Sequence, residues 1–129
     1  MAEKLLRLVG PVHVAAGLLV FATAFSPPAQ EYLKSLIVTD DATIWSAFFV
    51  AILGPTIASW GVLFTALVNQ FFALPSLSLW KAMVFSIAVW APLDTALCIY
   101  YGIWIGAFIN AAIVIVLTGL LLSARKSLP

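Results

Sequence analysis

Residues 90–110 read WAPLDTALCIYYGIWIGAFIN. Two apolar runs meet here across the link Tyr100-Tyr101-Gly102. So short a link makes the runs on either side antiparallel neighbours. The stretch holds Asp94, the only acidic residue inside a long apolar run of this chain. It also holds the four-residue spacing Gly102, Gly106, Asn110. We read it as the end of one membrane-spanning helix, a minimal hairpin, and the first half of the next helix.

The composition supports that reading. The chain has 129 residues, of which 64% are hydrophobic and 9% charged. An ordinary soluble domain is about 45–50% apolar and about 25% charged. A soluble fold of this size could not hide so much apolar surface. A membrane span takes about 20 mostly apolar residues. Four such runs are present, at 5–25, 42–68, 77–99 and 102–122. The expected fold is an all-α integral membrane protein, a single domain 1–129 built as a four-transmembrane-helix bundle. Its solvent is the lipid bilayer.

Composition also excludes several classes. A net charge of +1 without a basic stripe offers nucleic acid no surface. The single cysteine, Cys98, rules out an intramolecular disulfide and a cysteine-based metal site. One histidine rules out a bis-His haem pair. Metal-ligand clusters, phosphate loops, nucleophile elbows and paired catalytic carboxylates are not found in the sequence, so no catalytic residue and no particular cofactor is assigned.

The first run begins with Lys4 and Arg7 and is followed by Ala22-Thr23-Ala24. That pattern is shared with signal peptides, but the run is long enough to span, and we expect it to be retained. Pro11 falls in its first turns, where a proline is tolerated. Ser26-Pro27-Pro28 stops the helix. Between the first and second spans, residues 29–38 carry Tyr32, Leu33, Leu36 and Ile37 at helical spacing with Glu31 and Lys34 interleaved. We expect a short amphipathic segment lying on the membrane surface. Thr39-Asp40-Asp41 has the character of a helix N-cap for the second span.

Gly54-Pro55 in the second run and Pro92 in the third predict kinks or local unwinding. Leu74-Pro75-Ser76 is a turn and helix start. An even number of spans places both termini on one side, with Lys4, Arg7, Lys81, Arg125 and Lys126. Lys34 alone lies on the other side, beside Glu31, Asp40 and Asp41. This bias predicts cytoplasmic termini, in a bacterial inner membrane or a plasma membrane. Tyr32, Trp45, Tyr100, Tyr101 and Trp104 would then mark the outer headgroup level, and Phe71, Phe72 and Trp80 the inner one.

Helices in lipid associate through close backbone approach at small residues. The candidate packing faces are Gly10, His13 and Gly17 in the first helix and Gly54, Ala58, Gly61 and Thr65 in the second. In the third they are Ala82, Ser86, Trp90, Asp94 and Cys98. In the fourth they are Gly102, Gly106 and Asn110.

Three polar residues inside the spans are the candidate ligand- or ion-binding groups. An acid within a span is costly and faces protein or a water cavity. Asp94 lies about 6–9 Å from its helix end at 1.5 Å per residue. Tyr100, Tyr101, Trp45 or a snorkelling Lys34 could reach it. It is read either as a proton- or cation-binding carboxylate or as a hydrogen bond pinning the hairpin. His13 sits about 12 Å into its helix. Thr56 and Ser59 of the second helix stand nearest in level; the first reading is a neutral imidazole donating to a neighbouring helix, and a proton relay or a single axial ligand to a cofactor is the alternative. Asn110, near mid-membrane, is read as an amide linking helices.

These features make a small non-enzymatic membrane protein acting through assembly the first expectation. It would be an accessory subunit among other transmembrane helices or a homo-oligomer. A small ion- or proton-coupled transporter or channel using Asp94 is the second. A lipid- or isoprenoid-binding membrane enzyme with His13 and Asp94 as acid or base is the third.

Overall fold

The computed structural model describes residues 2–23, 25–28, 31, 42–100 and 102–128, and of residues 42–48 and 50 only the backbone. These residues form four long helices: α1 (Ala2–Thr23), α2 (Ala42–Ala73), α3 (Leu77–Tyr100) and α4 (Trp104–Ala124). A 3-10 turn, Arg125–Ser127, ends the order. Each helix contains a segment long and apolar enough to cross a membrane, the one in α2 being Ala51–Ala73. The surface agrees with such a solvent. Phe85 (70%), Ile105 (72%), Phe108 (72%) and Ile115 (73%) are all widely exposed. In hydrocarbon a backbone must satisfy its own polar groups, which is why runs of this composition form uninterrupted helices. Residues 29–30 and 32–41, Tyr101 and the side chain of Trp45 lie outside the described residues. So, therefore, do the expected surface segment (Glu31 apart) and N-cap.

Pro11, Pro55 and Pro92 all lie inside helices. α2 stays helical at Gly54-Pro55, and α3 at Pro92, so the local unwinding expected there does not occur. At the start of α3, the Ser76 hydroxyl accepts the Leu79 amide at 3.2 Å, as a helix N-cap does.

The helices sort into two compact units. Residues 8–65 form one, comprising most of α1 and of α2. Here four glycines meet in two antiparallel pairs, Gly10 with Gly61 and Gly17 with Gly54. A Cβ on Gly17 would stand 2.4 Å from the Gly54 carbonyl oxygen and 2.5 Å from the Ala58 amide nitrogen. A Cβ on Gly61 would stand 2.6 Å from the Gly10 carbonyl oxygen. Only hydrogen fits at these positions, so the two helices touch backbone to backbone. Gly54, Ala58 and Gly61 lie along this contact.

The other unit joins residues 1–7 to 66–129 and is dominated by the α3–α4 hairpin. Its turn is made by Gly102, whose φ of +71° is the only positive φ among the described residues. The Gly102 amide donates to the Ile99 carbonyl at 3.1 Å, and the Ile103 amide to the Cys98 carbonyl at 2.8 Å. This pair of bonds is the Schellman closure of a helix C-terminus. Gly102, a candidate packing residue, takes the left-handed position of this turn. A Cβ there would meet nothing within 4 Å, and the residue serves the turn.

The buried face of α3 is Met83, Ile87 and Ala91. It is centred one residue beyond the expected ridge, for Ala82 is exposed and Ser86 and Trp90 are half-buried. The large apolar side chains win the interior. Ser86 instead turns its hydroxyl onto the Met83 carbonyl of its own helix at 2.8 Å. On α4, Asn110, Leu117, Leu121 and Ala124 are buried.

Candidate functional site

Two of the three candidate polar residues meet. The Asn110 side-chain amide donates from Nδ2 to Oδ2 of Asp94 at 2.5 Å, joining α4 to α3. Asn110 is only 6% exposed, and Asp94 is half-buried. Cys98, one turn further along α3, sets its Sγ 3.9 Å from the same Nδ2. The approach depends on Gly106, one turn before Asn110. A Cβ at Gly106 would stand 2.8 Å from Cys98 Sγ, so its hydrogen lets α4 close on α3 at this level. The sequence pointed to Tyr100, Tyr101, Trp45 or Lys34 as partners of Asp94. Of these, Tyr101, Lys34 and the Trp45 side chain lie outside the described residues; the mid-helix amide of Asn110 is a partner the sequence did not point to. A hydrogen bond to a carboxylate is shorter and stronger than one between neutral groups. Chemically, the pair can tie the hairpin, or hold a proton or cation on a carboxylate whose one oxygen is fixed by the amide.

His13 belongs to the 8–65 unit and has its own partners there. Its Nδ1 and the Val9 carbonyl one turn back are 2.8 Å apart. A carbonyl only accepts, so Nδ1 carries the hydrogen in this bond. The ring lies 4.6 Å from the Trp60 ring, centroid to centroid, tilted by 54°. Trp60 in turn stacks on Phe64 at 4.8 Å. The expected bond to Thr56 or Ser59 is replaced. The Thr56 hydroxyl donates to its own helix at Ile52, 3.0 Å away. The cause is the glycine contact: a Cβ on Gly61 would lie 3.0 Å from His13 Cβ, so residues 60 and 61 occupy the space facing His13.

A third constellation lies at the open end of the hairpin. The Trp80 indole Nε1–H donates to the Leu121 carbonyl at 2.8 Å. That carbonyl also accepts the Arg125 amide closing α4. The Arg125 guanidinium stands over the Trp80 ring, 5.2 Å from its centroid. From here an apolar groove of about 240 Å³ runs between α3 and α4, past Ile87, Ala91, Val114 and Thr118. Sequence reasoning placed Trp80 at a membrane surface but did not pair it with Arg125.

In the same unit, Arg7 is held on three sides. It pairs with Glu3 at 2.9 Å, donates to the Asn69 side-chain carbonyl, and lies 5.5 Å from the Phe72 ring centroid. This fastens the first turns of α1 to the last turns of α2.

Among the described residues, no group of three or more His, Cys, Asp or Glu side chains could hold a metal ion. No protein-family model, curated protein or solved structure matches the chain.

Proposed function

We propose that this chain is a small non-enzymatic membrane protein that acts through assembly, as an accessory subunit of a larger membrane complex or as a homo-oligomer. The observation that supports the reading is how its polar groups inside the helices are used. Asp94 and Asn110 engage each other, and His13 engages Val9 and Trp60. The hydroxyls of Thr56, Thr65 and Ser86 bond carbonyls of their own helices. Each of these contacts organises helices, and the remaining surface is apolar side chain suited to lipid or to further helices. The charge bias of the loops supports cytoplasmic termini in an inner or plasma membrane.

The test is native mass spectrometry of the chain extracted in mild detergent from its own source membrane. A larger complex or a defined homo-oligomer supports the reading. A lone protomer, fully stable by itself, overturns it.

A second reading is a small ion- or proton-coupled transporter or channel. It is favoured by the partial exposure of Asp94, a carboxylate within a span and bonded through one oxygen. Asp94→Asn should abolish flux in proteoliposomes, and unchanged flux would discard the reading. No observation favours the enzyme alternative, since His13 and Asp94 have separate partners in separate units.

A further inference from the structure

The groove between α3 and α4 has a chemistry of its own that neither reading uses. Its walls are apolar, from Val84, Ile87, Ala88 and Ala91 on α3 to Val114 and Leu122 on α4. Its volume of about 240 Å³ exceeds the roughly 150 Å³ of an apolar cavity that binds benzene. It lies on the hairpin between two polar ties, Trp80 to the Leu121 carbonyl and Asn110 to Asp94. The Trp80 end is charged. Arg125 lies over the indole, and Lys81 and Lys126 are exposed nearby in sequence to Trp80 and Arg125. Among the described residues the only ion pair is that of Arg7 with Glu3, and no carboxylate pairs with Arg125. Arg125 does not itself line the slot, but its guanidinium is braced on the face of Trp80, which does.

We propose that this groove is a binding site for an anionic phospholipid. One acyl chain lies along the slot, and the phosphate is held by Arg125, with Lys81 and Lys126 adding charge. Three features converge on that occupant. The slot is apolar along its length, which suits a hydrocarbon chain. An indole with its N–H satisfied by protein marks the headgroup level. A guanidinium matches a phosphate's paired oxygens, which an apolar partner helix would not require, and the added positive charge of Lys81 and Lys126 favours a net-negative headgroup over a zwitterionic one, whose ammonium it repels. Basic pockets between transmembrane helices recognise anionic headgroups in this way. The proposal needs only that the chain spans a membrane and holds whether it works as a subunit or as a transporter.

The experiment is lipid retention by native mass spectrometry. The full chain is purified in mild detergent and exposed to phosphatidylglycerol or phosphatidylcholine with the same acyl chains. We expect preferential retention of phosphatidylglycerol. Arg125→Gln should weaken it by about fivefold, the share of one basic side chain at a membrane surface. Lys4→Gln, an equal charge change at a residue not braced on the groove's Trp80, should weaken it less than Arg125→Gln does. Ala88→Trp, which fills the slot from an exposed position, should reduce retention of both lipids. Equal retention of the two lipids by wild type would overturn the proposal. So would an Arg125→Gln effect no larger than that of Lys4→Gln, or a second copy of the chain displacing lipid from the groove. Helical circular dichroism of each variant confirms that a loss reflects binding and not misfolding.

Discussion

Gly17 of α1 and Gly54 of α2 touch through their main chains. A Cβ on either one would lie within 2.6 Å of the other's carbonyl oxygen. The same relation recurs seven residues away, where Gly10 meets Gly61. A seven-residue repeat keeps one face of each helix against the other over two turns. Four missing side chains thus set how close α1 and α2 come.

Gly17→Ala and Gly54→Ala should therefore both be severe. The clash is with backbone, which no rotamer change relieves, so the cost is at or above the roughly 1–3 kcal/mol typical of overpacking. Gly119→Ala supplies the contrast. A Cβ at Gly119 meets nothing within 4 Å, and alanine is the better helix former by up to about 1 kcal/mol in water. Denaturant titrations in detergent, followed by circular dichroism, compare the three. Equal midpoints for all three would show that the glycine contact contributes nothing.

Asp94 and Asn110 give a second prediction. Asn110→Ala leaves a carboxylate without its donor, and Asp94→Ala leaves a buried amide without its acceptor. Interhelical hydrogen bonds within membranes are worth about 0.6–2 kcal/mol. A double-mutant cycle should return a coupling energy of at least about 0.5 kcal/mol. Additivity of the two single variants would mean that the bond does not stabilise the hairpin.

How far the sequence disclosed this depends on the residue. The helices were legible because lipid as solvent leaves the backbone almost no alternative. Gly54 and Gly61 were legible as packing residues because small side chains at helical spacing have one dominant use in a membrane. The Asp94–Asn110 pair was within reach as well. Asp94 lies eight residues before Gly102 and Asn110 eight after it, so a hairpin turning at Gly102 brings them to one level. Read locally, Asp94 points to the aromatic residues and Lys34 at its own helix end and not to an amide on the next helix. His13 was harder. Its self-helix bond to Val9 follows from the closeness of the helix opposite, which only the glycine contact in three dimensions reveals. The spacing of Gly102 to Gly106 suits a packing ridge, while the positive φ of Gly102 cannot be seen in a spacing. The Trp80–Arg125 contact links residues from the two ends of the hairpin, and nothing in either local sequence announces it.

Gly102 yields a third prediction that separates turn from packing. Gly102→Ala adds a methyl group in open space but forces an L-residue into the left-handed region, at about 1–2 kcal/mol. Gly102→Asn should cost less, since asparagine tolerates that region. A packing role would reverse the order, because the larger side chain would then do more harm. Thermal unfolding of the two variants side by side gives the ranking.

Trp80 provides the last. Trp80→Phe keeps an aromatic face beneath Arg125 and removes the donor to the Leu121 carbonyl. That carbonyl keeps its bond from the Arg125 amide, so it is not orphaned. The loss should therefore fall within the net worth of one hydrogen bond, about 0.5–1.5 kcal/mol, and not in the range of a buried group left unpaired. Trp80→Ala also removes the half-buried ring with its contacts and should cost clearly more than Trp80→Phe. Chemical denaturation of both variants checks this. Equal costs would mean that the aromatic face contributes nothing to holding α3 against α4.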